Sequence, residues 1–98
     1  MRAHDSVGVV ARAVARGDGS AVTVLHVEAG GEIGRHPAPV DQLLVVVAGR
    51  ARVRAGAGDW ADLAPGQAVV WVAGEEHVTR ADAALTALVV EMPAMWLG

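Results

Sequence analysis

Gly30-Gly31-Glu32-Ile33-Gly34-Arg35-His36-Pro37-Ala38-Pro39-Val40-Asp41-Gln42 runs on through Leu43 to Ala48 and closes on Gly49. A second glycine-bounded stretch, Gly66-Gln67-Ala68-Val69-Val70-Trp71-Val72-Ala73-Gly74-Glu75-Glu76-His77, follows after a short spacer. Short β-branched runs between glycine and proline signals mark strands joined by turns. From Gln42 to Ala48 the run is apolar on both faces: Leu43, Val45 and Val47 on one, Leu44 and Val46 on the other. A strand apolar on both sides is covered on both sides. Its outer face is therefore expected to pack on a second sheet or on a partner subunit.

The same pattern extends outward. Val7 to Val14 reads as a first strand and Ala21 to Glu28 as a second, ending at the Gly30-Gly31 pair, which reads as a hairpin turn. Ala51 to Ala55 alternates, with Arg50, Arg52 and Arg54 on a solvated side and Ala51 and Val53 opposite. Trp60 to Leu63, Ala68 to Val72, His77 to Ala81 and Leu85 to Glu91 complete the set, and Ala64-Pro65-Gly66 is a strong turn. Only Ala81 to Leu88 competes as a helix, and it is short and runs into β-branched residues. The reading is an all-β domain of about eight short antiparallel strands, closed as a β-barrel or jelly roll. Residues 1–6 are expected to form a loose N-terminus and residues 7–98 a single domain.

Composition bounds the function. A chain of 98 residues buries only about 60–65% of its unfolded surface, so oligomerisation is an inexpensive remedy for a thin stability margin. Its apolar residues, 53% of the chain, are mostly Ala and Val, which leaves Trp60, Trp71 and Trp96 to supply bulk. The absence of cysteine excludes disulfides and thiolate metal sites. A net charge of −3 argues against nucleic-acid binding, which needs a clustered basic surface. No apolar run approaches the ~18–20 residues that span a bilayer, and no N-terminal segment reads as a secretory signal. The expectation is a soluble, cytoplasmic protein. The lack of Lys and Asn beside abundant Ala, Val, Arg and Gly points to a GC-rich bacterial genome.

The two opening stretches resemble the two motifs of the cupin superfamily. In the first, Gly30, His36, Gln42 and Gly49 fall in register, with Ala38 where the second histidine would stand and Gln42 in place of the glutamate. In the second, Gly66, Gly74 and His77 match, while Val72 replaces a proline and Ala81 an asparagine. The resemblance spans roughly Ala21 to Glu91. It implies a small single-domain cupin, a double-stranded β-helix whose interior carries a metal or ligand site. It does not choose a reaction, because cupins include dioxygenases, isomerases, lyases, storage proteins and sensor domains.

The spacing carries its own physical logic. Residues 36, 38 and 42 share parity and project from one face of a strand, and His77 opens a later strand. If those strands are neighbours across a barrel, His36, Gln42 and His77 converge inside it. Imidazole suits Zn, Fe, Ni, Mn or Cu, and the Gln42 amide oxygen is a harder, weaker donor. Such a set leaves the charge of a divalent ion uncompensated. Asp41 has the wrong parity to restore it, Glu28 is a further candidate, Glu75 and Glu76 sit in a turn, and Glu91 remains open. Trp71 and Ala38 are candidate pocket residues, with Trp71 shared between core and pocket wall. His4 and His26 are expected to stand apart. Ser6 and Ser20 lie in no nucleophile elbow, and no glycine loop opens a helix to cradle phosphate.

Three functions fit these residues: a metal-dependent small-molecule enzyme, a metal-free ligand-binding or sensor domain, and a structural dimerisation module. The expected assembly is a homodimer.

Overall fold

The β-branched runs form six antiparallel strands, β1 (Val7–Gly17), β2 (Ser20–Pro37), β3 (Asp41–Ala55), β4 (Ala61–Leu63), β5 (Ala68–Trp71) and β6 (Glu76–Met92). The computed structural model describes residues 7–37 and 40–93, with Val7 and residues 34–37 described by backbone alone. The segment 1–6, Ala38 and Trp96 lie outside the described residues. Hydrogen bonding runs in the order β1-β2-β6-β3-β4, and β5 joins the other end of β3.

Six strands stand where about eight were expected, because two predicted breaks are bulges rather than turns. The runs on either side of Gly49 form one strand, β3, with register shifts against β6 between Val46 and Ala51. His77–Ala81 and Leu85–Glu91 likewise join as β6. Extra unpaired residues bend a strand without ending it. Gly49 sits at the bend with φ +88, and a Cβ there would overlap the carbonyl oxygen of Ala84. No side chain fits. The Gly30-Gly31 pair is not a hairpin turn either: β2 passes through it, with Val27 opposite Leu85 and Glu32 opposite Arg80.

Because β2, β3 and β6 all bend at one level, the sheet folds over as two facing half-sheets. The first comprises β1, β2 up to Val27, β6 from Leu85, β3 up to Val46, and β5. The second comprises the remaining parts of β2, β3 and β6, with β4. Leu25, Leu44 and Val46 from the first meet Ile33, Val53 and Ala81 from the second in one core. In β6 the odd residues His77, Thr79, Ala81, Leu85 and Ala87 are buried, and Ala83 at the bend is exposed. In β3 the inward set changes from even (Gln42, Leu44, Val46) to odd (Ala51, Val53), since the bulge shifts its phase.

The outer faces differ. On the first half-sheet Val22, Val24, Leu43, Val45, Leu88 and Val90 are half-buried and Val47 is 52% exposed. On the second, Arg52 pairs with Asp62 and Asp82, each at 3.3 Å, and Arg80 pairs with Glu32 at 2.6 Å. The guanidinium groups of Arg54 and Arg80 lie 5.0 and 4.7 Å from the ring of Trp60. Two turns then bring β5 and β6 to the site. Pro65-Gly66, with Gly66 at φ +88, closes by the bond from Gln67 N–H to Ala64 O. Ala73-Gly74, with Gly74 at φ +85, closes by the bond from Glu75 N–H to Val72 O. Proline or a small residue followed by glycine at positive φ is the requirement of such a turn.

Candidate functional site

The two half-sheets part at the end away from the bends, and a cavity of about 40 Å³ opens between them. One wall is aliphatic: Leu25, Leu44 and Val89 from the first half-sheet and Ile33 from the second. Polar side chains gather on the rest, namely Gln42 on β3, Glu91 and His77 at opposite ends of β6, and Thr23 and Thr79. Trp71, the last residue of β5, fills the side between them.

Register explains the gathering. Gln42 stands opposite Trp71 on one neighbour and Glu91 on the other. All three have inward parity, so the side chains share the cavity. The Gln42 amide donates from Nε2 to Glu91 Oε2 at 3.1 Å. That bond fixes the amide orientation and leaves Gln42 Oε1 on its other side. His77 comes from the facing half-sheet, and its ring stacks on Trp71 with centroids 4.7 Å apart and planes at 9°. Gln42, His77 and Trp71 are 8%, 6% and 4% exposed. Trp71 Nε1 is buried with no hydrogen-bond acceptor among the described residues. Buried indole N–H groups usually find a partner, and an unsatisfied one costs about 1–3 kcal/mol.

Of the residues singled out by sequence, Gln42, His77 and Trp71 come together. Trp71 belongs both to the core and to the cavity wall. The backbone of His36 pairs directly with that of His77 across β2 and β6. The His36 side chain and Ala38 lie outside the described residues. Asp41 turns away, as its parity requires, and accepts the Ala73 N–H at 2.8 Å, anchoring the turn before β6. Glu75 accepts the Val72 N–H at 3.1 Å within that same turn, Glu76 is exposed, and Glu28 is exposed against Gly8. His26 is on the outer face, where Nδ1 and the Thr86 hydroxyl share a hydrogen bond of 3.2 Å.

The residue that sequence reading left open is Glu91. Its signal was present, because His77 and Glu91 share parity in a single strand. No local pattern carries that parity across Asp82-Ala83-Ala84, where a bend within one strand and a gap between two strands look alike in sequence.

The model of the cupin domain family matches residues 23–91, which is most of the chain and contains both motifs. The chain belongs to the cupin family. No curated protein matches it. A conserved protein of unknown function from Streptococcus pyogenes is 30% identical with a TM-score of 0.76, covering 89% of this cupin and 76% of that chain. A cupin-like protein of Thermotoga maritima shares the fold at TM-score 0.82 and 21% identity, over 95% of this chain and 79% of its own. The DMSP lyase DddQ of Ruegeria pomeroyi shares it at TM-score 0.79 and 23% identity, over 92% of this chain and 49% of that one. At such identities the last two speak to fold alone. Among the described residues of this cupin no helix is long and apolar enough to cross a membrane.

Proposed function

We propose that this cupin binds a small molecule in its interior cavity, held by Gln42, Glu91, His77 and Trp71, without chemistry of its own. The observation that carries this reading is the gathering of an amide, a carboxylate, an imidazole and an unsatisfied indole N–H around one cavity with an aliphatic wall. A few polar groups converging in an apolar cleft are the usual make-up of a ligand site. The orphaned donor at Trp71 Nε1 is satisfied when a ligand supplies an acceptor. His77→Ala removes the face of the Trp71 ring stack and opens the cavity. It is expected to change ligand affinity by about tenfold or more, measured by titration calorimetry. Unchanged binding of every ligand found in a small-metabolite screen would sink this reading.

A second reading is a divalent metal held by His36, Gln42 and His77, favoured by the direct pairing of His36 with His77 across two strands. The described side chains do not by themselves make the site, since no three His, Cys, Asp or Glu residues among them surround one point. With His36 added, two imidazoles and the Gln42 oxygen form a neutral donor set, and Glu91 beside Gln42 supplies the carboxylate it lacks. A bound metal would contribute Lewis acidity at the cavity. Elemental analysis of untagged protein beside His77→Ala decides it: stoichiometric metal lost in the variant supports this reading, and negligible metal in both ends it.

The partner in either case is a second copy of the chain, seated on the outer face of the first half-sheet. Val22, Val24, Leu43, Val45, Leu88 and Val90 form an aliphatic centre, with charge only at its edges in Arg12 opposite Val24 and Asp41 beyond Leu43. A continuous aliphatic face on so small a domain packs against itself across a twofold axis, the commonest closed assembly.

A further inference from the structure

The cavity has an electrostatic sign, and the sign narrows its ligand. Glu91 is the one carboxylate on its wall, and no arginine lines it among the described residues. No ion pair to Glu91 is formed among those residues. Its carboxylate holds a single described hydrogen bond, from Gln42 Nε2 to Oε2, so Oε1 retains full acceptor capacity. On the other side of Gln42, Trp71 Nε1 is a buried donor without an acceptor among the described residues. The two unfilled capacities are complementary in kind, one calling for an N–H or O–H and the other for a lone pair.

Resting on the ligand-pocket reading above, the geometry points to a site for small, non-anionic molecules that both donate and accept hydrogen bonds, such as a primary amide, an amino alcohol or a hydroxylated fragment. The ligand donates to Glu91 and accepts from Trp71 Nε1, while its apolar part lies on Leu25, Leu44 and Val89. Carboxylates and phosphates are disfavoured by charge, because an anion placed beside an unpaired carboxylate meets like-charge repulsion. Size is restricted as well. One water needs about 10–15 Å³ of such space, so a cavity of about 40 Å³ takes roughly three water-sized groups. Gln42 is a positioning residue here, since it holds Glu91 in place and, unlike a glutamate, does not repel it.

Acetamide and acetate separate the idea cleanly, being nearly the same shape and differing in charge and in the N–H donors. The test is a titration of chelator-stripped protein near pH 7, followed by the assigned Trp71 indole N–H resonance. Acetamide is expected to move that resonance saturably, and acetate at least about tenfold more weakly. Glu91→Gln, an isosteric change, is expected to bring the two within about threefold of each other. Acetate binding as tightly as acetamide to the wild type would overturn the selectivity while leaving the pocket standing. A Trp71 resonance unmoved by either probe would overturn both the selectivity and the pocket reading. The wild-type comparison needs no variant, so a failure of Glu91→Gln to fold does not rescue the proposal.

Discussion

The two half-sheets of this cupin share one core and one cavity but differ on their outer faces. The first sets Gln42 and Glu91 on its inner face and carries Leu43, Val45, Leu88 and Val90 outside. The second fills its interior with Ala51, Val53, Leu63 and Ala81 and displays Arg52, Asp62, Arg80 and Asp82 outside. Both belong to the same three long strands. A polar interior demands a function, since buried amides and carboxylates are costly unless partnered. An apolar exterior demands a cover. The first half-sheet has both, while the second gives His77 and Thr79 to the same cavity but carries a charged, finished exterior.

The sharpest way to break the comparison is at the joint. Gly49→Ala places a Cβ against the Ala84 carbonyl at a φ that L side chains rarely adopt. It is expected to cost at least about 3 kcal/mol, read in urea unfolding. Tm should fall by about 12 °C or more. Gly56→Ala is the control, with positive φ but nothing within 4 Å of the added Cβ, and should cost only about 1 kcal/mol. Similar losses in both would show that conformation alone, and not the close approach of β3 to β6, holds the bend.

The next test separates the two outer faces. Val45→Arg puts a charge in the centre of the aliphatic face, and is expected to weaken self-association about 100-fold while shifting monomer stability by less than about 1 kcal/mol. Sedimentation equilibrium checks it, and a wild type that is monomeric at all concentrations removes the proposal. Arg52→Ala on the second half-sheet carries the smallest effect. Its ion pairs with Asp62 and Asp82 are solvent-exposed, so stability should change by less than about 0.5 kcal/mol and association not at all. A large change in association there would reverse the assignment of the two faces.

How much of this was legible in the sequence follows the same division. The alternation of Arg50, Ala51, Arg52 and Val53 predicted the wet and buried faces of β3 beyond Gly49, because a strand with one wet face announces itself by period. The two-sided apolar run Leu43 to Val47 put aliphatic side chains on both faces of β3, as the structure has them. The glycine spacing placed Gln42 and His77 in one fold, since each lies at a fixed distance from a turn or bend. Two expected strand breaks are continuous in β3 and β6, because a glycine at positive φ serves a bulge as well as a turn and Asp82-Ala83-Ala84 bends a strand without ending it. Gly30 and Gly49 look alike in sequence to Gly66 and Gly74, and only the partner strand tells them apart. Glu91 was left open for a related reason: its place beside Gln42 depends on pairing across 49 positions of chain, and no local pattern encodes that.

The bent shape of β6 bears on how the molecule comes to exist. Residues 21 and 91 are paired neighbours, as are 42 and 91, so the inner face that carries Gln42 is completed only when the far end of β6 docks. The β1–β2 hairpin joins nearby residues, but the pairings that complete the half-sheets are distant in the chain. Folding governed by such distant pairings is slow, on the order of milliseconds to seconds. Until β6 docks, one edge of the aliphatic Gln42–Ala48 run stands open to other chains, the kind of segment that aggregates. The arrangement that brings His77 and Glu91 to one cavity therefore also leaves that edge exposed until β6 is in place.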